Sequence, residues 1–78
     1  MSGDAVDHPQ HYNDTVPGIE CIDVVEHFDF NRGNAIKYLW RAGLKGDIAE
    51  EIQDLRKAAW YATRAADKLA ADKLAQEA

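Results

Sequence analysis

Gly46 is the last glycine of this 78-residue chain and Pro17 the last proline, so residues 47–78 contain no strong helix breaker. Along that stretch apolar side chains recur at Ile48, Ile52, Leu55, Ala59, Ala62, Ala66 and Leu69. The spacing alternates four and three, which is a heptad seam. Asp47 opens the helix, and Glu50 three residues later makes a capping-box variant. A helix of ~28 residues is roughly 42 Å long, longer than the rest of so short a chain can cover. The overhang is therefore expected to fray or to pack on another chain. Residues 66–75 repeat Ala-Asp-Lys-Leu-Ala in tandem. A five-residue period keeps no single helix face, so this reads as a helix-favouring extension without a motif.

The remaining elements are short. Pro9, Pro17, Gly3, Gly18 and the Asn13-Asp14 pair keep residues 1–18 out of regular structure. His8, His11 and Tyr12 sit within that arm, so residues 1–7 are expected to be loose and 8–18 ordered against the body. Ile19, Ile22, Val25 and Phe28 follow at helical spacing, with Glu20, Asp23 and Glu26 on the opposite face, predicting a first helix over 19–28 with Asp29-Phe30 as a link. Asn31 is the expected cap of a second helix carrying Ala35, Ile36, Leu39 and Trp40, and Gly43 its C-terminal stop. The short Gly43–Gly46 connection implies an antiparallel helix pair. The expected architecture is all-α: an ordered irregular N-terminal arm, two short helices and one long C-terminal helix, assembled as an oligomeric helical bundle. Its partition is 1–7, a flexible N-terminus; 8–64, one helical domain; and 65–78, the Ala-rich extension.

Oligomerisation also answers a size problem. At 8.7 kDa a single core is only marginally stabilising. Cys21 is the only cysteine, which excludes an intrachain disulfide and a Cys-rich zinc site. No run of 18 apolar residues spans a bilayer, and no Lys or Arg precedes Arg32 to form a signal-peptide n-region. The expected location is cytoplasmic.

Net charge is −5, but the charge is segregated. Residues 1–30 hold seven acids and no Lys or Arg, whereas residues 31–64 hold seven bases against four acids. The total and the acidic ends disfavour long nucleic acid, while a basic centre suits a small phosphorylated ligand. The alternative is that the ends neutralise the middle through solvated ion pairs, each contributing only ~0–1 kcal/mol.

Within the basic centre, Lys37 and Arg41 are four apart on one helix face, Lys45 follows in the connection, and Lys57 and Arg64 are seven apart on the next helix. Tyr38, Trp60 and Tyr61 lie among them. On an antiparallel pair these faces can converge. Guanidinium and ammonium groups would hold phosphate oxygens while an aromatic stacks on a base. Taken singly, Trp40 and Trp60 read as core residues. His8 and His11, three apart, have too few companions for a zinc site, which needs at least three protein ligands; they could instead close a phosphate pocket, with a packed structural arm as the plainer role. Glu50, Glu51 and Asp54 occupy adjacent turns and are weak candidates for Mg²⁺, although Asp54 could equally pair with Lys57 along its own helix. No G-x-x-x-x-G-K-[ST] loop, G-x-S-x-G turn or recognised Cys/His pairing is present, and no catalytic residue is assigned.

Four ordered motifs, His8-Pro-x-His-Tyr-Asn13, Gly18-Ile-Glu-x-Ile-Asp23, Gly33-Asn-Ala-Ile-Lys-Tyr-Leu-Trp-Arg-Ala-Gly43 with Lys45, and Asp54-Leu-x-Lys-Ala-x-Trp-Tyr61 with Arg64, resemble a small family of tailed bacteriophages. That family is labelled as being of unknown function or as phage nucleotide kinases, after a coliphage protein that phosphorylates deoxynucleoside monophosphates without a P-loop. The resemblance covers residues 8–64. It implies a nucleotide-related role in the host cytoplasm and a candidate kinase using Mg²⁺ with a nucleotide. Lys37, Arg41, Lys45, Lys57 and Arg64 would hold phosphates, with His8, His11, Tyr12, Tyr38, Trp60 and Tyr61 forming the pocket. Two other roles remain open: a nucleotide-sequestering binder directed at a host immune signal, and a regulator whose basic face meets a host protein.

Overall fold

The structure, a computed structural model, describes residues 16–77; within that span every regular element is a helix. Helix α1 is Cys21–Val25, α2 is Phe30–Arg41 and α3 is Ile48–Glu77. The expected arm residues His8, His11 and Tyr12 lie outside the described span, as does the whole of 1–7.

The first helix is shorter than the predicted 19–28. Val16 to Ile19 form a turn closed by the Ile19 amide donating to the Val16 carbonyl (3.2 Å), and the chain turns again after Val25, where the Phe28 amide donates to the Val25 carbonyl (3.1 Å). Three of the five residues of α1, Ile22, Val24 and Val25, are β-branched, which lowers helix propensity. The cap of α2 is Asp29, not the predicted Asn31: its Oδ1 accepts from the Arg32 amide at 2.9 Å. Phe30 is therefore the first helical residue and not a link. Gly43 follows α2 at φ 84°, the left-handed conformation that suits glycine after a helix. Asp47 caps α3 as expected, its Oδ1 accepting from the Glu50 amide at 3.0 Å.

Helices α2 and α3 form the antiparallel pair that the short connection implied: Arg41 at the end of α2 meets Asp54 early in α3, while Phe30 at the start of α2 meets Tyr61 further along. Helix α1 packs on α2. Gly33 permits this approach, since a Cβ there would lie 3.1 Å from the Val25 carbonyl oxygen. With 12 residues, α2 is about 18 Å long; with 30, α3 is about 45 Å. The pairing thus leaves an overhang at the C-terminal end of α3.

The face of α3 that meets α2 is Glu51, Asp54, Ala58, Tyr61 and Ala65, with Asp54 and Ala58 buried. It is not the apolar heptad seam. Ile48, Ile52, Leu55 and Leu69 are 69, 44, 45 and 55 % exposed, and Ala59, Ala62 and Ala66 are exposed too. The two faces share the 4-3 spacing and lie about 100° apart around the helix. Among the described residues the buried hydrophobic positions are small, Cys21, Ala35 and Ala58.

A cationic aromatic face between the second and third helices

Tyr61 is the hub of the packed face. Tyr38 of α2 stacks on it with ring centroids 5.8 Å apart and planes 10° from parallel. Phe30 and Trp60 meet it edge-on at 6.0 and 5.1 Å. These offset and T-shaped arrangements are the ones that ring quadrupoles favour. Both tyrosines are half-buried, so one pair of rings ties the two helices together.

Three cations converge on Tyr38. Lys37 Nζ lies 4.6 Å from its ring centroid, Lys57 Nζ 5.2 Å and Arg41 Cζ 5.8 Å, all within the range of a cation–π contact. Lys37 and Arg41 come from α2 and Lys57 from α3, so the antiparallel pairing assembles the cluster. Like charges gathered on one ring raise one another's cost and favour an anion nearby. Cys21 of α1 is buried; burial pushes its thiol pKa up, and the nearby Lys37 charge partly opposes that.

Arg41 has a second engagement. Its Nε lies 3.3 Å from Oδ2 of Asp54, a side chain only 5 % exposed. Asp54 thus pairs across the helix interface and not with Lys57 along its own helix, because position 54 points at α2. The other two carboxylates of the weak metal set face the interhelix connection. Glu51 lies over Gly43, where an added Cβ would be 3.0 Å from Oε2, and Glu50 lies against Gly46. Among the described residues no group of three or more His, Cys, Asp or Glu side chains gathers as a metal site.

Trp60 is 60 % exposed, not the core residue it reads as singly. It borders an open groove of about 630 Å³ along the outer side of α3, together with Glu50, Ile52, Gln53, Arg56 and Lys57. Arg56 lines this groove and is a candidate that the sequence reading left out of its site. Its spacing four before Trp60 was the available signal, obscured because Arg56 belonged to no motif of the resemblance. Lys57 joins the two regions, reaching the Tyr38 ring on one side and lining the groove on the other. Lys45 and Arg64 are exposed, Lys45 in the interhelix connection and Arg64 one turn beyond Tyr61 on α3.

The profile of a protein family of unknown function, DUF3310, matches residues 6–63, taking in α1, α2 and the first half of α3. This chain belongs to that family. It is also 45 % identical over 62 residues to the Gene 1.7 protein of Enterobacteria phage T3, a match covering 72 % of this chain and 38 % of the phage protein. The chain thus spans well under half the length of that relative. No solved structure matches. The phage resemblance read from the motifs holds at the level of the family. No described helix is long and apolar enough to cross a membrane.

Proposed function

We propose that the chain binds a small phosphorylated ligand with an aromatic ring, a nucleotide, on the face that runs from Tyr38 across Lys57 to Trp60. The observation that carries this reading is the convergence of Lys37, Arg41 and Lys57 from two helices on one tyrosine ring. Lys37 and Lys57 would take phosphate oxygens as mobile point charges. Arg41, held by Asp54, would present a fixed positive edge. The exposed Trp60 ring would stack on the base, with Arg56 beside it. Lys45 and Arg64 would add to the surrounding positive potential. His8, His11 and Tyr12, if carried to this face, would close it.

The finer reading, implied by the resemblance to phage nucleotide kinases, is phosphoryl transfer to a deoxynucleoside monophosphate from a Mg²⁺-bound nucleotide. Such transfer depends mainly on positioning and charge stabilisation, which a cluster of cations supplies. Sequestration of a nucleotide without turnover uses the same face. One incubation separates them: purified protein with a deoxynucleoside monophosphate, ATP and Mg²⁺, resolved by chromatography, alongside calorimetry of the monophosphate alone. Diphosphate product supports the kinase reading. Stoichiometric uptake of unchanged ligand supports sequestration. Neither binding nor turnover across the common nucleotides sinks the proposal and leaves the basic face to a protein partner, which pull-down with nucleotide competitor would then address.

A further inference from the structure

The heptad seam of α3 is apolar and exposed, with Leu69 also lining a groove beside Phe30 and Arg32 of α2 and Ile52 also bordering the Trp60 groove. Its seven positions from Ile48 to Leu69 contain no charged residue and run for about 32 Å. Isolated exposed apolar residues are ordinary, whereas a continuous stripe at coiled-coil spacing is a surface shaped for another helix. We infer that the seam seats a second copy of this chain, α3 against α3, in antiparallel alignment.

The order of residues along the seam decides the alignment. Its large side chains stand at both ends, Ile48, Ile52 and Leu55 at one and Leu69 at the other, with Ala59, Ala62 and Ala66 between. Antiparallel, in the register that brings Ala59 to the partner's Ala62, Ile52 faces the partner's Leu69 and Leu55 the partner's Ala66. The layers then grade from wide ends to a narrow centre, as two straight helices crossing at a small angle require. Lys73, the next seam position, falls beside the partner's Ile48, where its methylene stem covers apolar surface and its ammonium stays in water. In parallel alignment Lys73 would instead face the partner's Lys73, a like-charge contact in the seam. Three wide layers would also adjoin three Ala–Ala layers, leaving the helices unable to approach at the centre.

Size and geometry also favour a second copy as the occupant. The interface, one helix wide and about 32 Å long, would bury on the order of 1,200 Å² in total, the lower bound of a specific association. The packed faces also agree in geometry. Position 60.5 is the centre of this register, and α2 lies opposite residues 54–65 of α3. Each copy's α2 therefore sits close to the two-fold axis and on the same side of the α3 pair, and the dimer closes as a four-helix arrangement. Leu39 of α2 is 58 % exposed and available to that assembly.

Sedimentation equilibrium of the full chain measures the association, and disulfide trapping on a Cys21→Ser background measures the alignment. The expected result is a dimer that Ile52→Glu weakens by about a hundredfold, because a charge would enter the seam, while far-ultraviolet circular dichroism stays helical. A mixture of Ile52→Cys chains and Leu69→Cys chains should cross-link to each other and not to themselves. A monomer at hundreds of micromolar, an Ile52→Glu variant that associates as well as the parent, or like-with-like cross-links at position 52 would each overturn the inference.

Discussion

Two faces of α3 carry the same 4-3 spacing and opposite chemistry. The face of Glu51, Asp54, Ala58, Tyr61 and Ala65 includes a carboxylate and a phenol, yet it is the one packed on α2. The face of Ile48, Ile52, Leu55 and Leu69 is the more apolar, yet it is exposed. Hydropathy alone would assign them the other way. The packed face is held by pairings that only α2 can supply: Asp54 with Arg41, and Tyr61 with Tyr38 and Phe30. Each brings chemistry that a plain hydrophobic seam lacks, a fixed guanidinium and a ring ringed by cations. The stripe of apolar residues is left exposed, and the polar, aromatic face builds the candidate site.

The largest effect that would break this contrast belongs to Asp54. Asp54→Ala leaves the Arg41 guanidinium against the interface without this partner and should cost about 3 kcal/mol, a large part of the stability of so small a domain. Urea unfolding followed by circular dichroism measures it, and Arg41→Met in the same chain should recover part of the loss. An Asp54→Ala chain as stable as the parent would mean that the pair does not anchor the packed face. Next is Ala58, 3 % exposed where α2 and α3 approach. Ala58→Leu should destabilise by about 2 kcal/mol through overpacking. The same substitution at Ala62, on the exposed seam, should change monomer stability by less than about 0.5 kcal/mol. Equal losses at the two positions would erase the distinction between the faces.

Smaller effects sharpen the contrast. Lys37→Gln with Lys57→Gln should leave the unfolding midpoint within a degree or two while weakening nucleotide binding about tenfold or more, measured by calorimetry. If those lysines instead stabilise the stacked tyrosines, the midpoint falls and binding does not. The least effect concerns Cys21. Its thiol is buried and its folded pKa lies above the unfolded value. The unfolded chain therefore releases the proton first. The associated stability is present below the ordinary thiol range and declines as pH rises through and above about 9. Alkylation at pH 8 should be slow in the folded protein and fast in denaturant, and Cys21→Ala should flatten the alkaline decline.

Much of the fold was legible because its signals are local. The absence of glycine and proline after Gly46, the Asp47 cap and the left-handed Gly43 mark the long helix and the antiparallel turn in sequence alone. The cap of α2 was misplaced by two residues, since Asn31 and Asp29 are both good caps and only the geometry of the Arg32 amide distinguishes them. What lay beyond reach was which face of α3 would turn inward. Periodicity marks both faces, and the choice depends on Arg41, Tyr38 and Phe30, which lie 13 to 31 residues away in sequence from their partners Asp54 and Tyr61. The candidate site follows the same division. Lys37, Arg41 and Lys57 were legible as a set through their spacing, whereas Arg56 and the exposure of Trp60 depend on the groove along α3.

On the proposed function, the cation-ringed tyrosine face, and not the apolar seam, receives a phosphorylated ligand. Titrating a deoxynucleoside monophosphate into isotopically labelled protein and following backbone amide shifts by nuclear magnetic resonance tests it residue by residue. Saturable shifts should concentrate at residues 37–41, 56, 57, 60 and 61, with the seam positions 48, 55, 62, 66 and 69 unmoved. Shifts concentrated on those seam positions, or no saturable shift at millimolar ligand, would contradict it.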